Sequence, residues 1–326
     1  MVPIALVTGI AGQDGAYLAD RLRSEGSHVI GLKLPGSVDP ALEPFLSSVE
    51  LLDVDLTDES SLSAVLDEHR PDEIYNLAGI SSVALSWHEP VLTSEINGVA
   101  VVRLLELIRR FPAAHGPARF LQASSAEMFG SPARSPQDES TALAPVSPYG
   151  LAKAFAHQAV GIARAAHGLH ASSVILYNHE SPLRPVTFVT RKVTRAAAAI
   201  SLGLETELVL GTLDVSRDWG FAGDYVDAMV RAVRHDVPGD YVVATGVQHT
   251  LRDLLDAAFR RAGVDDWAPY VRTDRDFARP VEITAMVGDA TRARTVLGWE
   301  PSTSFTELVA GMVDADLALL RSRPHT

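Results

Sequence analysis

The sequence predicts an α/β fold with a doubly wound parallel sheet and a second, smaller lobe. Short apolar runs of strand length alternate with stretches of helical periodicity from Ile4 to about Leu176. This alternation is typical of βαβ units built around a parallel sheet. A glycine-rich turn follows the first apolar run, as in many folds of this class. After Asn178 the alternation gives way to polar segments broken by proline, which indicates a lobe of different architecture.

The glycine-rich turn lies between the first predicted strand, residues 4–7, and the first predicted helix. Gly9 permits a tight turn, Gly12 lets the backbone approach a pyrophosphate, and Gly15 lets the helix pack closely on the strand. The N-terminus of the helix supplies N–H donors and a positive dipole end to phosphates. A glycine triplet in this position predicts the first unit of a dinucleotide-binding Rossmann domain.

The next strands supply the rest of the predicted cofactor site. The second strand, His28–Leu32, is followed by Lys33, where NAD sites usually place an acid that holds the ribose hydroxyls. Lys33 favours a 2′-phosphate and therefore NADP, although a solvated lysine at a strand end explains the residue equally well and leaves NAD open. The predicted cofactor contacts are Gly9, Gly12, Gln13, Asp14, Gly15, Lys33, Asp55, Leu56, Leu77 and Ala78.

Four residues near the predicted fifth strand form a candidate catalytic cluster. Ser125 and Glu127 follow that strand, at the edge where parallel sheets bind ligands. Tyr149 and Lys153 are four apart in a predicted helix, so they share one face. The ammonium favours ionisation of the phenol, and Glu127 adds a second acid or base. A chance Tyr-Lys spacing and a plain surface role for Glu127 are the alternatives.

We predict a Rossmann domain over residues 1–178, with segments returning to it over about 211–245, and residues 179–326 as mainly the substrate-binding lobe. Together these form a doubly wound parallel-sheet Rossmann domain with a smaller interleaved α/β substrate lobe. The chain contains neither repeats nor low-complexity linkers, so the second lobe is expected to pack on the first.

Composition excludes several classes of function. The 326 residues carry a formal net charge of −13, which argues against general binding to nucleic acid or anionic membranes. The chain has no cysteine, and we find no His, Asp and Glu spacing typical of a metal site. The N-terminus lacks a basic leader region, and apolar runs are shorter than a membrane span. We therefore expect a cytoplasmic protein.

Several further motifs resemble one known family over nearly the whole chain. Within the extended short-chain dehydrogenase/reductases, the sequence is most similar to the GDP-mannose 4,6-dehydratase family. The motifs are Gly12-Gln13-Asp14-Gly15, Asn178-His179-Glu180-Ser181-Pro182, Phe188-Val189-Thr190-Arg191-Lys192, Arg217-Asp218-Trp219-Gly220, Arg279-Pro280 with Glu282, and Leu297-Gly298-Trp299.

The resemblance implies a redox-neutral dehydration of GDP-mannose to GDP-4-keto-6-deoxy-mannose with tightly bound NADP. Tyr149 would take the proton of the C4 hydroxyl, and Glu127 would take the C5 proton and help expel the C6 hydroxyl as water. Lys153 would lower the pKa of Tyr149 and hold the nicotinamide ribose. Ser125 stands where the family usually has Thr.

The resemblance also assigns binding residues and an assembly. The predicted cofactor contacts also include Tyr149, Lys153 and His179, and His179 is expected to be a satisfied loop histidine rather than a catalyst. Asp218 is a candidate ion-pair partner for Arg217, and Trp219 is expected to pack. A homodimer or homotetramer is implied. The implied substrate contacts are Ser81, Asn178, Val189, Lys192, Arg217, Arg279 and Glu282.

Three departures from the family pattern keep other functions open. Leu34-Pro35-Gly36 replace a basic pair, Ile80 and Ser82 replace a glutamine and a histidine, and Leu183 replaces an arginine. One alternative is an NADPH-dependent reductase or epimerase acting on a 4-keto sugar nucleotide. Another is a non-catalytic sensor that binds a sugar nucleotide or NADP(H).

Overall fold

A computed structural model describes residues 2–36, 38–274, 281 and 283–322. Its centre is a seven-stranded sheet in the order β10-β6-β5-β4-β1-β2-β3, and every strand pair in this sheet is parallel. The predicted doubly wound parallel sheet is therefore confirmed. The strands, in chain order, are β1 Ile4–Thr8, β2 His28–Lys33, β3 Glu50–Asp53, β4 Glu73–Asn76, β5 Arg119–Ser125, β6 His170–Leu176, β7 Asn178–Glu180, β8 Leu208–Leu210, β9 Ser216–Phe221, β10 Asp240–Val243, β11 Gln248–Thr250 and β12 Val271–Thr273.

Helices cover both faces of the central sheet and build most of the smaller lobe. They are α1 Gln13–Ser24, α2 Glu43–Leu46, α3 Glu59–His69, α4 Val83–His88, α5 Pro90–Ser94, α6 Ala100–Arg110, α7 Pro148–His167, α8 Val189–Ser201, α9 Ala222–Arg234, α10 Leu251–Arg261, α11 Thr291–Leu297 and α12 Phe305–Arg321. Among these described helices, none is long and apolar enough to cross a membrane.

The helix that carries the candidate catalytic pair has strong local signals at both ends. The Ser147 hydroxyl accepts a hydrogen bond from the Gly150 N–H at 3.0 Å, and Pro148 occupies the first helical position. Both features are typical of helix N-termini. Gly168 ends the helix in the left-handed conformation, at φ +66°. These two ends fix where Tyr149 and Lys153 lie along α7.

Two apolar layers flank the central sheet. One packs α1, α9 and α11 against it through residues such as Leu18, Met229 and Trp299. The other packs α3, α6 and α7 through residues such as Leu66 and Leu104. The strands β1, β4 and β6 are buried over most of their length, as expected for parallel strands covered on both faces. The carboxyl edge of the sheet is therefore held rigidly.

The smaller lobe has its own apolar cluster, formed by α8, α10, α12 and the strands that pack against them. Its strands form a three-stranded sheet, β11-β9-β7, and a two-stranded sheet, β12-β8. The chain returns to the central sheet through α9 and β10, and β10 pairs with β6. The domain boundaries given above stay a prediction. The structure adds that β8 pairs with β12, and that β9 pairs with β7 and β11, in the sheets of the smaller lobe.

One long predicted helix is divided in the structure. The sequence predicts a single helix over 93–110, whereas the chain forms α5, then a π-helical turn at Glu95–Val99, then α6. Such turns widen the backbone by one residue and often occur at functional sites. The apolar periodicity continues through this segment, so the insertion leaves no clear mark in the sequence pattern.

Candidate active site

A cavity of about 430 Å³ opens at the carboxyl ends of the central strands, between the sheet and the smaller lobe. Ligands bind in this position in open parallel sheets. The candidate catalytic residues and residues of the smaller lobe line it together. The predicted residues in its wall are Asp14, Leu77, Ser81, Ser125, Glu127, Tyr149, Lys153, Asn178, His179, Val189, Lys192 and Arg217.

The glycine turn is packed too tightly for side chains. A Cβ atom on Gly9, which has φ +70°, would lie 2.7 Å from the backbone of Ala78. A Cβ atom on Gly15 would lie 2.5 Å from the Ile10 carbonyl oxygen. Gly12 precedes α1 and places no side chain over its N-terminus. The first N–H groups of a helix have no partner within the helix and suit a pyrophosphate, so the turn fits a dinucleotide cofactor.

A chain of buried amides ties the central strands together just behind the cavity. The Thr8 hydroxyl donates to Asn76 Oδ1 at 2.7 Å, and Asn76 Nδ2 donates to Gln122 Oε1 at 2.8 Å. The Ala78 N–H in turn donates to the Thr8 hydroxyl at 3.1 Å. These bonds join β1, β4 and β5 at their carboxyl ends, and satisfied buried networks of this kind rigidify a core.

Glu127 and Tyr149 lie close together because Gly150, the residue after Tyr149, packs directly against the backbone of Glu127. A Cβ atom on Gly150 would lie 2.6 Å from the Glu127 carbonyl oxygen, so only glycine permits this contact. Glu127 lies on a 3-10 turn that follows β5, and its N–H donates to the Ser125 hydroxyl at 3.3 Å. The first turn of α7 is thereby docked on the end of β5, and three of the four predicted catalytic residues meet there.

The electrostatics of Tyr149 differ from the prediction. Burial raises the pKa of Tyr149 to about 12, the hydrogen bond with Ser125 lowers it, and the nearby Glu127 carboxylate raises it. Lys153 Nζ lies 5.9 Å from the centre of the Tyr149 ring and donates instead to the Ala123 carbonyl oxygen at 2.9 Å. The lysine was predicted to lower the pKa of the phenol, but desolvation outweighs the distant ammonium.

Lys153 itself is strongly affected by its surroundings. Its side chain is buried, and burial lowers its pKa from 10.5 to about 8. The charge of Asp14 acts in the opposite direction. Because a buried ammonium is costly unless paired, this lysine is poised to change protonation state near neutral pH.

A second network connects the glycine turn to β7. His179 Nε2 bonds to Asp14 Oδ2 at 2.8 Å, and Nδ1 bonds to the Tyr177 carbonyl oxygen at 2.8 Å. Both partners are acceptors, so the geometry suits a charged imidazole that donates from both nitrogens. Burial opposes this charge, but Asp14 outweighs it and raises the pKa of His179. Gln13 Nε2 adds a bond to the His179 carbonyl oxygen at 3.1 Å. His179 thus lies against the glycine turn and is a satisfied histidine, but it belongs to β7 and not to a loop.

The remaining predicted cofactor residues lie along the other edge of the glycine turn. Lys33 forms an ion pair with Asp53, which follows from the β2–β3 register. Asp55 Oδ1 accepts hydrogen bonds from the N–H and hydroxyl of Thr57 at 2.8 Å. Leu56 is buried. The partner of Lys33 lies twenty positions along the chain, and the sequence analysis did not foresee it.

The residues implied as substrate contacts occupy the wall on the side of the smaller lobe. Lys192 Nζ donates to the Val209 carbonyl oxygen at 2.6 Å, and Arg217 Nη1 donates to the Ser216 carbonyl oxygen at 2.9 Å. Arg279 and Glu282 lie outside the described residues. The carboxylate of Asp218 accepts bonds from the backbones of Thr245, Gly246 and Gly288. It therefore clamps three segments together, a role that the predicted pairing with Arg217 did not include.

Two residues in or beside the cavity were not assigned a role by the sequence analysis. Arg184 lines the wall, lies 3.7 Å from the centre of the Phe188 ring and pairs with the buried Glu180. Asn97 lies in the π-helical turn and bonds to both backbone groups of Ile80. The sequence could have indicated Arg184, because this arginine lies close to the Ser181-Pro182 motif. No sequence pattern indicates Asn97. Among the described residues, no group of His, Asp and Glu is arranged to hold a metal ion.

Comparison with known proteins gives the family. The model of a family described as GDP-mannose 4,6 dehydratase matches residues 6–312. GDP-mannose 4,6 dehydratase 1 of Arabidopsis thaliana is 44% identical over 330 residues, covering 98% of this chain and 91% of the relative. The GDP-mannose 4,6 dehydratase of Homo sapiens is 37% identical over 348 residues, covering 99% and 93%.

Solved structures agree on the fold. The UDP-glucose 4-epimerase of Thermus thermophilus, in complex with NAD, has a TM-score of 0.83 at 26% identity and covers 96% of this chain and 98% of its own. RMD from Pseudomonas aeruginosa, complexed with NADPH, has a TM-score of 0.82 at 23% identity and covers 98% and 100%. The resemblance found in the sequence motifs is confirmed, and the chain belongs to the GDP-mannose 4,6-dehydratase family.

Proposed function

We propose that this chain dehydrates GDP-mannose to GDP-4-keto-6-deoxy-mannose and regenerates its nicotinamide cofactor in every turnover. The observation that carries the proposal is the approach of a carboxylate, Glu127, to the Tyr149–Lys153 pair at one end of a cavity in a chain of this family. A phenolate can take the proton of the C4 hydroxyl, and a separate carboxylate can take the proton on the neighbouring carbon, C5. A simple alcohol oxidation needs only the first of them.

The protons balance within the site. A nicotinamide dinucleotide held at the glycine turn and Lys153 would supply the hydride-transfer chemistry, which oxidises C4 of the sugar and later reduces C6. Tyr149 takes the proton of the C4 hydroxyl, which leaves a ketone and makes the C5 proton acidic. Glu127 takes the C5 proton, and the C6 hydroxyl leaves after gaining a proton. One of the two protons completes the water molecule and the other returns to C5, so both residues end in their starting states.

The proposal requires Tyr149 to act as a base although its pKa in the ligand-free protein is about 12. Ser125 already lowers this pKa through its hydrogen bond, and Lys153 supplies a positive charge within reach of the phenol. Closing water out of the cavity strengthens both effects, since charges interact more strongly at low dielectric. In this scheme Lys153 exchanges its bond with Ala123 for one nearer the reacting oxygen when the site is filled.

Cationic side chains of the smaller lobe suit the diphosphate of the substrate. Arg217 and Lys192 line the cavity opposite the catalytic cluster. Arginine binds phosphate oxygens through its planar fork, and lysine binds them as a point charge. Asn178, Val189 and Ser81 complete the proposed contacts with the sugar nucleotide. GDP-mannose would therefore span the cavity from the smaller lobe to the end of β5.

The cofactor in this proposal is a nicotinamide adenine dinucleotide, and structures with the same fold hold either form. NADP as the specific form stays a prediction from Lys33. A cytoplasmic location likewise stays a prediction from the sequence. A homo-oligomer is supported by the apolar side chains exposed on α7, namely Leu151, Phe155 and Ile162, because large exposed apolar patches commonly mark contacts between proteins.

A single incubation tests the reaction. Purified protein is mixed with GDP-mannose in D₂O without added reductant, and the product is followed by mass spectrometry and NMR. We expect a 4-keto-6-deoxy sugar nucleotide with deuterium at C5 and no net change in NAD(P)H. A product that forms only with stoichiometric reductant would indicate a reductase. Binding without turnover would indicate a sensor. Either result would refute the dehydratase proposal.

A further inference from the structure

The ammonium of Lys33 is already saturated with protein acceptors. Lys33 Nζ forms an ion pair with Asp53 and donates to the carbonyl oxygens of Gly36 at 2.8 Å and Leu34 at 3.4 Å. An ammonium has three protons to donate, and each has a partner here. Its positive charge is also matched by the Asp53 carboxylate. A 2′-phosphate would have to displace these partners to bind Lys33.

This ion pair lies where the adenosine ribose of a dinucleotide is bound. The N–H groups of Gly9 and Ile10 in the glycine turn donate to the Leu32 carbonyl oxygen at 3.0 and 3.3 Å. The turn therefore lies directly beside the end of β2, and Lys33 is the next residue. The ribose of the cofactor is held at the end of this strand in dinucleotide-binding folds. Asp53 ends the neighbouring strand in register with Lys33.

The surrounding chain offers little else to a phosphate. The segment from residue 34 to residue 69 follows Lys33 and includes α2, β3 and α3. It contains no lysine or arginine. Its acidic residues are Asp39, Glu43, Glu50, Asp53, Asp55, Asp58, Glu59, Asp67 and Glu68. A phosphate monoester carries about −1.5 to −2 charges at neutral pH. Glu59 and Asp67 are paired with arginines from outside this segment. Within the segment itself, a phosphate would meet only carboxylates beside the neutralised Lys33.

The exposed half of the pair is the carboxylate. The Asp53 side chain is 53% exposed, whereas the Lys33 side chain is 13% exposed. The solvent side of this site therefore presents acceptor oxygens, and hydroxyl groups donate to these oxygens. An unphosphorylated ribose carries two such hydroxyls, and an acid near this position is how NAD sites bind them. The pair supplies from β3 the carboxylate that is missing at the end of β2.

We propose that this chain uses NAD(H) as its working cofactor, because Asp53 neutralises Lys33 and turns the ribose site into an acceptor for hydroxyl groups. The inference rests on the proposed function for the need of a cofactor. It departs from the NADP that the sequence predicts through Lys33 alone. Asp53 is thereby a specificity-determining residue for the adenosine end of the cofactor.

Binding measurements on the full-length protein test this inference. The cofactor that stays with the purified protein is released by denaturation and identified by mass spectrometry. After exchange, dissociation constants for NADH and NADPH are measured by cofactor fluorescence and those for NAD⁺ and NADP⁺ by calorimetry. We expect NAD(H) to be the retained form and to bind more tightly than NADP(H). NADP(H) that binds equally well or more tightly would overturn the inference.

An Asp53→Asn variant separates the role of the carboxylate. Removing its charge frees Lys33 and relieves repulsion, so the affinity for NADP⁺ relative to NAD⁺ should rise by about tenfold, the effect of roughly one close charge pair near a surface. Glu50→Gln is the matched control, because Glu50 begins the same strand about 10 Å away and should leave the ratio unchanged. An unchanged ratio in Asp53→Asn, with its melting temperature retained, would refute the role of Asp53.

The result is distinguishable from a failure of the proposed function. Preferential NAD(H) binding without conversion of GDP-mannose would refute the dehydratase and leave the cofactor inference standing. Conversion of GDP-mannose by a protein that retains NADP would support the dehydratase and refute the cofactor inference. The two readouts, affinity and product, are measured on the same preparation.

Discussion

Glu127 is held at the reacting end of the cavity by its backbone, which contacts Gly150 and bonds to Ser125. Replacing it with glutamine keeps the size of the side chain and removes its ability to take a proton. We expect Glu127→Gln to lower kcat for dehydration by about 10² to 10⁴, the usual contribution of a general base. Deuterium incorporation at C5 should be lost, while cofactor binding persists. Product formation by NMR and cofactor affinity by fluorescence measure the two effects.

Glu300→Gln is the control for this variant, because Glu300 is exposed and distant from the cavity lining. It should behave as the wild type in both assays. Turnover in Glu127→Gln at the wild-type rate would refute the role of this carboxylate. Loss of cofactor binding together with activity would mean that Glu127 only maintains the structure of the site.

Lys153 makes the stability of the cofactor-free protein depend on pH. Burial lowers its pKa from 10.5 to about 8. Between these values the unfolded chain binds a proton at this residue that the folded chain does not, so the free energy of unfolding rises with pH across this window. Below about pH 8 the full penalty for the buried charge is present. A shift of this size corresponds to about 3 kcal/mol.

The Lys153→Met variant removes this pH dependence and, by the proposed mechanism, the activity. We expect the melting temperature of the wild type, relative to that of the variant, to rise between about pH 8 and pH 10. Scanning calorimetry of both proteins across this range measures the difference. The change of this difference with pH reports the titration of Lys153. The loss of its bond to Ala123 shifts the melting temperature by the same amount at every pH. Melting curves that stay parallel with pH would show that Lys153 is not desolvated.

Residue types alone gave part of this site. Gly9, Gly12 and Gly15 could be predicted to form the cofactor turn because their spacing has a steric reason that holds in any βα unit. The pairing of Lys33 with Asp53 could not be predicted, because it depends on which strand lies beside β2 and on the register of that pair. The pKa of Tyr149 was missed for a similar reason. Burial decides it, and burial is a property of the whole fold.

At the scale of elements, the π-helical turn at Glu95–Val99 shapes the loop next to the catalytic lysine. Asn97 Oδ1 accepts from the Ile80 N–H at 2.8 Å, and Asn97 Nδ2 donates to the Ile80 carbonyl oxygen at 2.9 Å. A Cβ atom on Gly79 would lie 2.8 Å from Asn97 Oδ1 and 3.7 Å from Lys153 Nζ. The loop that leads to Ser81 is therefore fixed between Asn97 and Lys153.

Replacing Asn97 with leucine should damage both stability and turnover. The backbone N–H and carbonyl of Ile80 lose their partners in a part-buried position, and each unsatisfied buried group costs about 1–3 kcal/mol. We expect a melting temperature lower by several degrees and a fall in kcat/KM of about tenfold to a hundredfold, because small displacements of catalytic groups are costly. Ser94→Ala, on the exposed side of the same segment, is the control. Wild-type kcat/KM in Asn97→Leu would contradict this role.

The elements themselves were largely predictable, and their exceptions have local causes. The sequence predicts the helix that carries Tyr149 over 149–167, and α7 spans Pro148–His167, with Pro148 and Gly168 marking its ends. The interruption at Glu95–Val99 was missed because apolar spacing tolerates one extra residue. The role of Asp218 was missed because its partners come from segments up to seventy positions away. Sequence patterns report short-range geometry, and these contacts are long-range.

At the scale of the whole molecule, α7 connects the catalytic site to an exposed apolar surface. Leu151, Phe155 and Ile162 have exposed fractions of 61%, 50% and 64%. Their spacing of four and seven residues puts them on one side of the helix. Val91 and Val99, on the neighbouring α5 and the π-helical turn, are also exposed. An exposed apolar stripe of this kind suits the interface of a two-fold symmetric dimer, in which the same surface of each subunit meets.

We therefore expect the protein to be a dimer or a larger even-numbered assembly in solution, with a mass at least twice the 34.9 kDa of the chain. Ile162→Lys places a charge at one end of the exposed apolar stripe and should shift the protein toward monomer, because burying an unpaired charge at an interface is costly. Light scattering after size-exclusion chromatography measures this. Leu319→Lys, at an exposed leucine of α12, is the matched control and should keep the assembly.

Since the opposite face of α7 carries Lys153, a monomeric Ile162→Lys variant should also lose part of its activity. A wild-type monomer, or an unchanged mass in Ile162→Lys, would contradict an interface at this surface.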